Sequence, residues 1–119
     1  MKHLPKHLQP RWRYLAVELR TEPGAGLDRR SFQRECWFGA QNLIGDTGSA
    51  AVDLSVVRFD HDGESGHAVV RARRGEVDRA RAVLACVDDV DGSTVGLRVR
   101  GTSGTIRACV ESHLGLDAA

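Results

Sequence analysis

The sequence predicts an α+β domain: one antiparallel sheet with two helices on one face, followed by an extra C-terminal helix. Three observations lead there. Apolar residues alternate with polar ones in four short segments, the period of a half-buried strand. In three other segments apolar residues recur at helical spacing. Clusters of Gly, Pro and Asp separate these segments. The 119 residues suit a single domain spanning 1–119, since domains commonly run to about 100–150 residues.

The elements follow in order. Residues 1–10 hold two prolines and alternating charge, and predict an extended basic arm. A strand over Trp12 to Arg20 puts Leu15, Val17 and Leu19 on one face and Trp12, Tyr14, Glu18 and Arg20 on the other. Thr21 to Gly26 is a loop. Asp28 is a good N-cap for the first helix. Leu27 and Phe32 stand where a hydrophobic staple would close its first turn. Phe32, Cys36, Ala40, Leu43 and Ile44 form its apolar face, and Gly45 is placed to end it.

Val52, Leu54 and Val56 alternate in a second strand, and Asp60-His61-Asp62-Gly63 is a hairpin turn. In the third strand Ala68, Val70 and Ala72 alternate with Val69, Arg71 and Arg73. A second helix starts near Gly75, with the stripe Val77, Ala80, Val83, Leu84 and Val87. Asp91-Gly92 is a turn. The last strand carries Val95, Leu97 and Val99 inward and Arg98 and Arg100 outward. A closing helix runs from about Gly104 to Leu114 and stops at Gly115.

This order is the ferredoxin-like βαββαβ pattern, which the RNA-recognition fold shares. It gathers Trp12, Tyr14, Arg71, Arg73, Arg98 and Arg100 on the face away from the two helices. The closing helix has its own stripe, Ile106, Cys109, Val110 and Leu114. That stripe must be buried on the open sheet face or at an edge.

Composition narrows the function classes. The formal net charge is +1, so net charge alone names no partner. The charge is segregated instead. Lys2, Lys6, Arg11, Arg13 and Arg20 meet one acid, Glu18, in the first 20 residues. Two further basic clusters are Arg71, Arg73 and Arg74, and Arg98, Arg100 and Arg107. Acids gather at Asp60 to Glu64 and at Asp88 to Asp91. Fifteen of the 17 basic residues are arginine, which grips phosphate with paired hydrogen bonds and stacks on planar groups.

Cys36, Cys86 and Cys109 are odd in number and form no CxxC pair. They predict a reduced, cytoplasmic setting. The start holds no apolar run like a signal peptide. No stretch approaches the ~20 apolar residues that span a bilayer, so no membrane partner is expected.

Two features are candidates for binding. Arginines on adjacent strands can follow an RNA backbone through its phosphates. The stretch from Gly66 to Arg74 lacks the stacking aromatics of RNA-recognition strands, so charge and shape would dominate. The second feature is Gly101 to Arg107, where small residues precede a helix start that can accept a phosphate. The plainer reading of that segment is a cap made by Thr102 or Ser103. Together these give Arg11, Arg13, Arg71, Arg73, Arg98, Arg100, Ser103, Gly104, Thr105 and Arg107 as candidate RNA-contacting residues.

Catalytic signatures are weak. His3 and His7 are four apart, but Pro5 argues against one helix presenting both to a metal. Asp60, Asp62 and Glu64 are a fragment of a calcium loop, as are Asp88, Asp89 and Asp91, and neither has the full ligand set. There is no phosphate-binding GxxxxGK[ST] and no nucleophile elbow. No catalytic residue, metal site or bound cofactor is assigned to this chain.

Three segments, MKHLPKHLQPRWRYLAVEL, GHAVVRARRGEVDRARAVLACV and VRGTSGTIRACVESHLG, resemble the archaeal ribonuclease P protein component 2 family. The resemblance covers nearly the whole chain in order, and LPKHLQPRWRYL and SGTIR are its most specific pieces. The arginine-rich, lysine-poor composition is similar to that of members from salt-loving archaea. The resemblance implies a subunit of the endoribonuclease that removes the 5′ leader of precursor tRNA. It also implies that the RNA subunit holds the catalytic metals, Mg2+ among them, and that the chain alone is inactive. The implied partners are ribonuclease P RNA, the component 3 protein and, within the holoenzyme, precursor tRNA.

Two other readings share the fold class. An acylphosphatase-like enzyme needs an arginine in a glycine-rich loop after the first strand, and Thr21 to Gly26 has none. A regulatory domain that binds a small molecule, such as an amino acid, is the second.

Overall fold

The computed structural model describes residues 11–116. The basic arm at residues 1–10, with His3 and His7, lies outside the described residues. The element order is β1 (Trp12–Thr21), α1 (Arg29–Val52), β2 (Ser55–His61), β3 (Ser65–Arg73), α2 (Val77–Ala85), β4 (Asp89–Val90), β5 (Ser93–Ser103) and α3 (Ile106–His113). The sheet order is β2-β3-β1-β5-β4, with every neighbouring pair antiparallel. This is the ferredoxin-like arrangement, with the two-residue β4 added at one edge. No helix among the described residues is long and apolar enough to cross a membrane.

The strand phases follow the sequence pattern. Leu15, Val17 and Leu19 of β1 join Val56, Ala68, Val70 and Ala72 in one buried cluster. Phe32, Cys36 and Ala40 of α1 and Ala80, Val83 and Leu84 of α2 cover it. Asp28 caps α1, its Oδ1 accepting from Ser31 N–H at 2.8 Å. That backbone hydrogen bond holds the Asp28 carboxyl below its ordinary range. Leu27 packs against the core that contains Phe32, as a staple requires.

α1 departs from expectation at its middle. Gly45 does not end it; the chain adopts φ 70° and ψ −178° there and helix resumes to Val52. Val52 is therefore a buried helical residue and not part of β2. The C-cap is Asp53, in the left-handed region, with its N–H on the Ser49 carbonyl. Leu43, two residues before the kink, is exposed and not in the apolar stripe. The β2–β3 hairpin is also tighter than expected. Asp60 and His61 stay in β2, and the turn is Asp62 to Glu64.

α3 lies on the sheet face opposite α1 and α2. Cys109 and Val110 are fully buried there against Ala16 and Val69, with Tyr14, Val57 and Leu114 at the margin. Ile106 falls outside this contact and is exposed. The sheet is thus covered on both faces.

Candidate nucleic-acid interface

Three strand ends meet where β1 begins, because β3 and β5 run antiparallel to it. The register sets Trp12 opposite Arg73 and Tyr14 opposite Arg71 on one side, and Tyr14 opposite Ser103 on the other. The guanidinium carbon of Arg71 lies 4.0 Å from the centre of the Trp12 ring, and that of Arg73 lies 5.2 Å from it. Arg73 also pairs with Asp53 at 3.2 Å, joining this end to the C-cap of α1. Arg74 extends the edge, its N–H donating to the Arg11 carbonyl at 2.8 Å.

Arg13 belongs to the same end. Its Nη1 donates to the Trp12 carbonyl at 3.2 Å. The same nitrogen would be 3.5 Å from a Cβ placed on Gly104. The start of α3 is therefore within contact of an arginine from β1. Thr105 is the N-cap, accepting from Ala108 N–H at 3.1 Å, where a cap by Thr102 or Ser103 was expected. Ser103 is the last residue of β5 and Thr102 lies within it, so neither can serve. Arg107 sits one turn in and reaches Glu111 at 3.3 Å. α2 also starts at this end, just after β3. The α3 N-terminus, with its partial positive charge, thus stands beside Arg13, while the start of α2 carries Glu76 and Asp78.

Arg98 and Arg100 are elsewhere. Arg98 stands opposite Glu18 in the β1–β5 ladder. The register slips between Ala16 and Val17, which face Gly101 and Val99, so Arg100 is the extra residue of a bulge. Its guanidinium reaches Glu18 at 3.3 Å. Glu18 is six residues from Trp12, about 20 Å along a strand. Between them α3 covers Ala16 and Val69. The expected single patch of Arg71, Arg73, Arg98 and Arg100 is therefore two patches. A period-two pattern carries no sign of either the bulge or the covering helix.

The far end of the sheet is acidic. A cleft of about 470 Å³ there is lined by Glu18, Asp60, Asp62, His61 and His67 with one arginine, Arg20, among them, and is closed by Leu114 and Leu116. Asp62 accepts from the backbone N–H groups of Ser65 at 2.8 Å and Glu64 at 3.0 Å, which holds its carboxyl below the usual range. Asp89 accepts from Gly92 N–H at 2.9 Å in the turn before β5. These aspartates are employed in turns. The charge segregation of the sequence becomes a polarity along the strands, basic where β1 begins and acidic where it ends.

Sequence phase sets Trp12 outward but does not reveal that two guanidinium groups gather on its ring. The signal available was positional: Trp12 and Arg73 share a face and sit at matching strand ends.

The comparisons with known proteins agree with this architecture. The model of the Rpp14/Pop5 family matches residues 13–114. The chain belongs to the Rpp14/Pop5 family. Ribonuclease P protein component 2 of Natronomonas pharaonis is 64% identical over 114 residues, covering 96% of this chain and 71% of that protein. The protein of the same name from Halorubrum lacusprofundi is 61% identical over 115 residues, covering 97% and 72%. That from Methanosarcina acetivorans is 34% identical, covering 96% and 82%. A chain in the cryo-EM structure of yeast ribonuclease MRP superposes with a TM-score of 0.59 at 14% identity, covering 89% of this chain and 80% of that one. At that identity the likeness speaks to the fold.

Proposed function

We propose that this Rpp14/Pop5 family chain is a non-catalytic protein subunit of ribonuclease P, supporting the RNA that removes the 5′ leader from precursor tRNA. The observation that carries the reading is identity above 60% over nearly the whole chain to two proteins named ribonuclease P protein component 2. Neither the acylphosphatase-like nor the small-molecule-binding alternative has comparable support. In this reading catalysis and its Mg2+ belong to the RNA, and the complex works in the cytoplasm.

The basic end supplies the RNA contact, with Arg11, Arg13, Arg71, Arg73, Ser103, Gly104, Thr105 and Arg107 as its residues. Arg98 and Arg100 form a second, weaker contact, because Glu18 offsets part of their charge. Phosphate contacts of this kind hold a folded RNA in place without reading its bases. The covered sheet face supports the same mode, since α3 occupies the surface on which RNA-recognition strands stack bases. The component 3 protein is the proposed protein partner. Trp37, Phe38 and Leu43 stay exposed on α1 and offer it an apolar patch.

The test is reconstitution of precursor tRNA cleavage from the RNA and protein subunits, with and without this chain. Omission should slow cleavage at limiting Mg2+, and the chain alone with Mg2+ should leave the substrate intact. Specific leader removal by protein free of RNA would overturn the reading.

A further inference from the structure

We infer that Trp12 is a platform for guanidinium groups, holding Arg71 and Arg73 as a pair that receives a phosphodiester of an RNA backbone. The inference rests on the reading of the chain as an RNA-associated subunit, and gives that surface a defined ligand group and a positioning residue.

The geometry argues for the platform. Arg71 and Arg73 alternate along β3 and so share a face, and Trp12 stands opposite Arg73 across the ladder. Both guanidinium carbons lie within the range at which a cation is drawn to an indole face, at 4.0 and 5.2 Å. Arg73 has a second anchor in Asp53 at 3.2 Å. Arg71 has none of this kind among the described residues. The ion pairs made by arginines among the described residues involve Arg34, Arg73, Arg79, Arg100 and Arg107. The Nε of Arg71 is buried and lacks a hydrogen-bond partner among those residues. The indole ring is thus the identified contact that sets where the Arg71 guanidinium points.

The same geometry selects the ligand. Each guanidinium carries five N–H donors in a fixed fork. Arg73 spends part of its fork on Asp53, and the remaining donors of the pair suit an oxyanion with several acceptor oxygens. A ring face covered by guanidinium is withdrawn from base stacking. Tyr14, the neighbouring aromatic, is partly buried beneath α3 and cannot replace it. The contact therefore falls on the backbone, and base identity should not matter.

The experiment uses the full chain carrying Trp37→Phe, which leaves Trp12 as its one tryptophan. Its fluorescence is titrated with poly(U), poly(A) and inorganic polyphosphate. All three should perturb Trp12 emission alike, and polyphosphate should displace either RNA. Binding by the Trp12 variants, which carry no tryptophan, is read from the anisotropy of end-labelled poly(U); Trp12→Phe keeps a ring and should bind within about twofold of the parent. Trp12→Leu removes the ring and should weaken binding roughly three- to tenfold, the span expected for lost cation–π contacts, with unchanged circular dichroism. The double variant Arg71→Ala, Arg73→Ala should lose more. Perturbation by poly(A) with no response to polyphosphate would mean that Trp12 stacks on bases, and would overturn the inference. So would parental binding by Trp12→Leu, or a parent that responds to none of the ligands. The functional reading fails separately, if omission of the chain leaves reconstituted cleavage unchanged.

Discussion

The imidazole of His113 rests on the bare α-carbon of Gly101, and its Nε2 lies 3.1 Å from the carbonyl oxygen of Thr102. A side chain at position 101 would occupy the space of that ring. The C-terminal end of α3 therefore sits close to β5 because residue 101 has no Cβ. The same docking buries Cys109 and Val110 on Ala16 and Val69. Gly101→Val should cost about 1–3 kcal/mol through overpacking. Urea unfolding followed by circular dichroism measures it. Adding His113→Ala should recover part of the loss, because the ring and the new side chain compete for one volume.

Gly45 has a different reason to be glycine. Nothing lies within 4 Å of where its Cβ would stand, yet its φ of 70° with ψ −178° suits almost no other residue. Gly45→Ala should destabilise the chain by about 1–3 kcal/mol through backbone strain. Gly26 also has open space around it but no positive φ, so Gly26→Ala should be neutral or slightly stabilising. Comparable melting curves for the two variants would remove the conformational argument.

Burial pushes the Cys36 thiol up to about 12 and the Cys109 thiol up to about 11. The Cys109 Sγ also lies 3.5 Å from the Tyr14 carbonyl. Both should stay protonated and unreactive in the native protein, while Cys86 is exposed. Iodoacetamide at pH 8 should add one label per chain under native conditions and three after unfolding, read by mass spectrometry. The linkage has a definite sign. The folded state holds these protons more tightly than the unfolded chain, whose thiols ionise near 9. Stability from this source is full below pH 9 and lost as pH rises toward 11–12.

On α1, the Trp37 indole N–H donates to the Leu54 carbonyl at 3.0 Å, which fixes its ring while leaving it half exposed. Phe38 beside it has no such tether and is 54% exposed. Phe38→Glu should therefore leave the fold intact and abolish binding to the proposed component 3 partner, as read by co-elution in size-exclusion chromatography. Parental co-elution would place the protein interface elsewhere.

Much of this was legible in the sequence, and the parts that were not share a cause. Alternation and helical spacing report which face of an element is apolar, so four of the five strands, the three helices and most of the main core followed directly; the two-residue β4 did not, and Val52 fell to the wrong element. They do not report what lies against that face. The stripe on α3 demanded burial, but only the fold shows that it settles over Ala16 and Val69 and divides the arginines. The bulge that displaces Arg100 from the ladder leaves the composition of β5 unchanged. Gly45 resembles a helix stop because glycine takes positive φ, and the helix resumes beyond it with Gly48 and Val52 buried. The candidate residues at the basic end were named one by one. Their convergence came from antiparallel register, which local spacing does not encode.

The start of α3 supplies the last prediction. Gly104 is exposed, and a Cβ there would meet Arg13 Nη1 at an ordinary 3.5 Å. Gly104→Val should therefore fold, but it places a branched side chain between the Arg13 guanidinium and the helix N–H groups. Arg107→Ala removes the second cation and its exposed pair with Glu111, whose loss should cost stability little. If an RNA phosphate is held here, both variants should lower the activity of reconstituted enzyme without lowering its melting temperature. Salt sharpens the test, since the Debye length shrinks to about 3 Å near 1 M. Long-range attraction from scattered arginines then fades, while N–H groups and guanidinium forks in direct contact with phosphate still act. The defect should therefore persist at high salt. Asp28→Ala is the structural comparator: it loses the cap of α1, costs about 1 kcal/mol, and should reduce activity only as far as it unfolds the protein. Parental activity of Gly104→Val and Arg107→Ala at both salt concentrations would leave this segment as a helix cap alone.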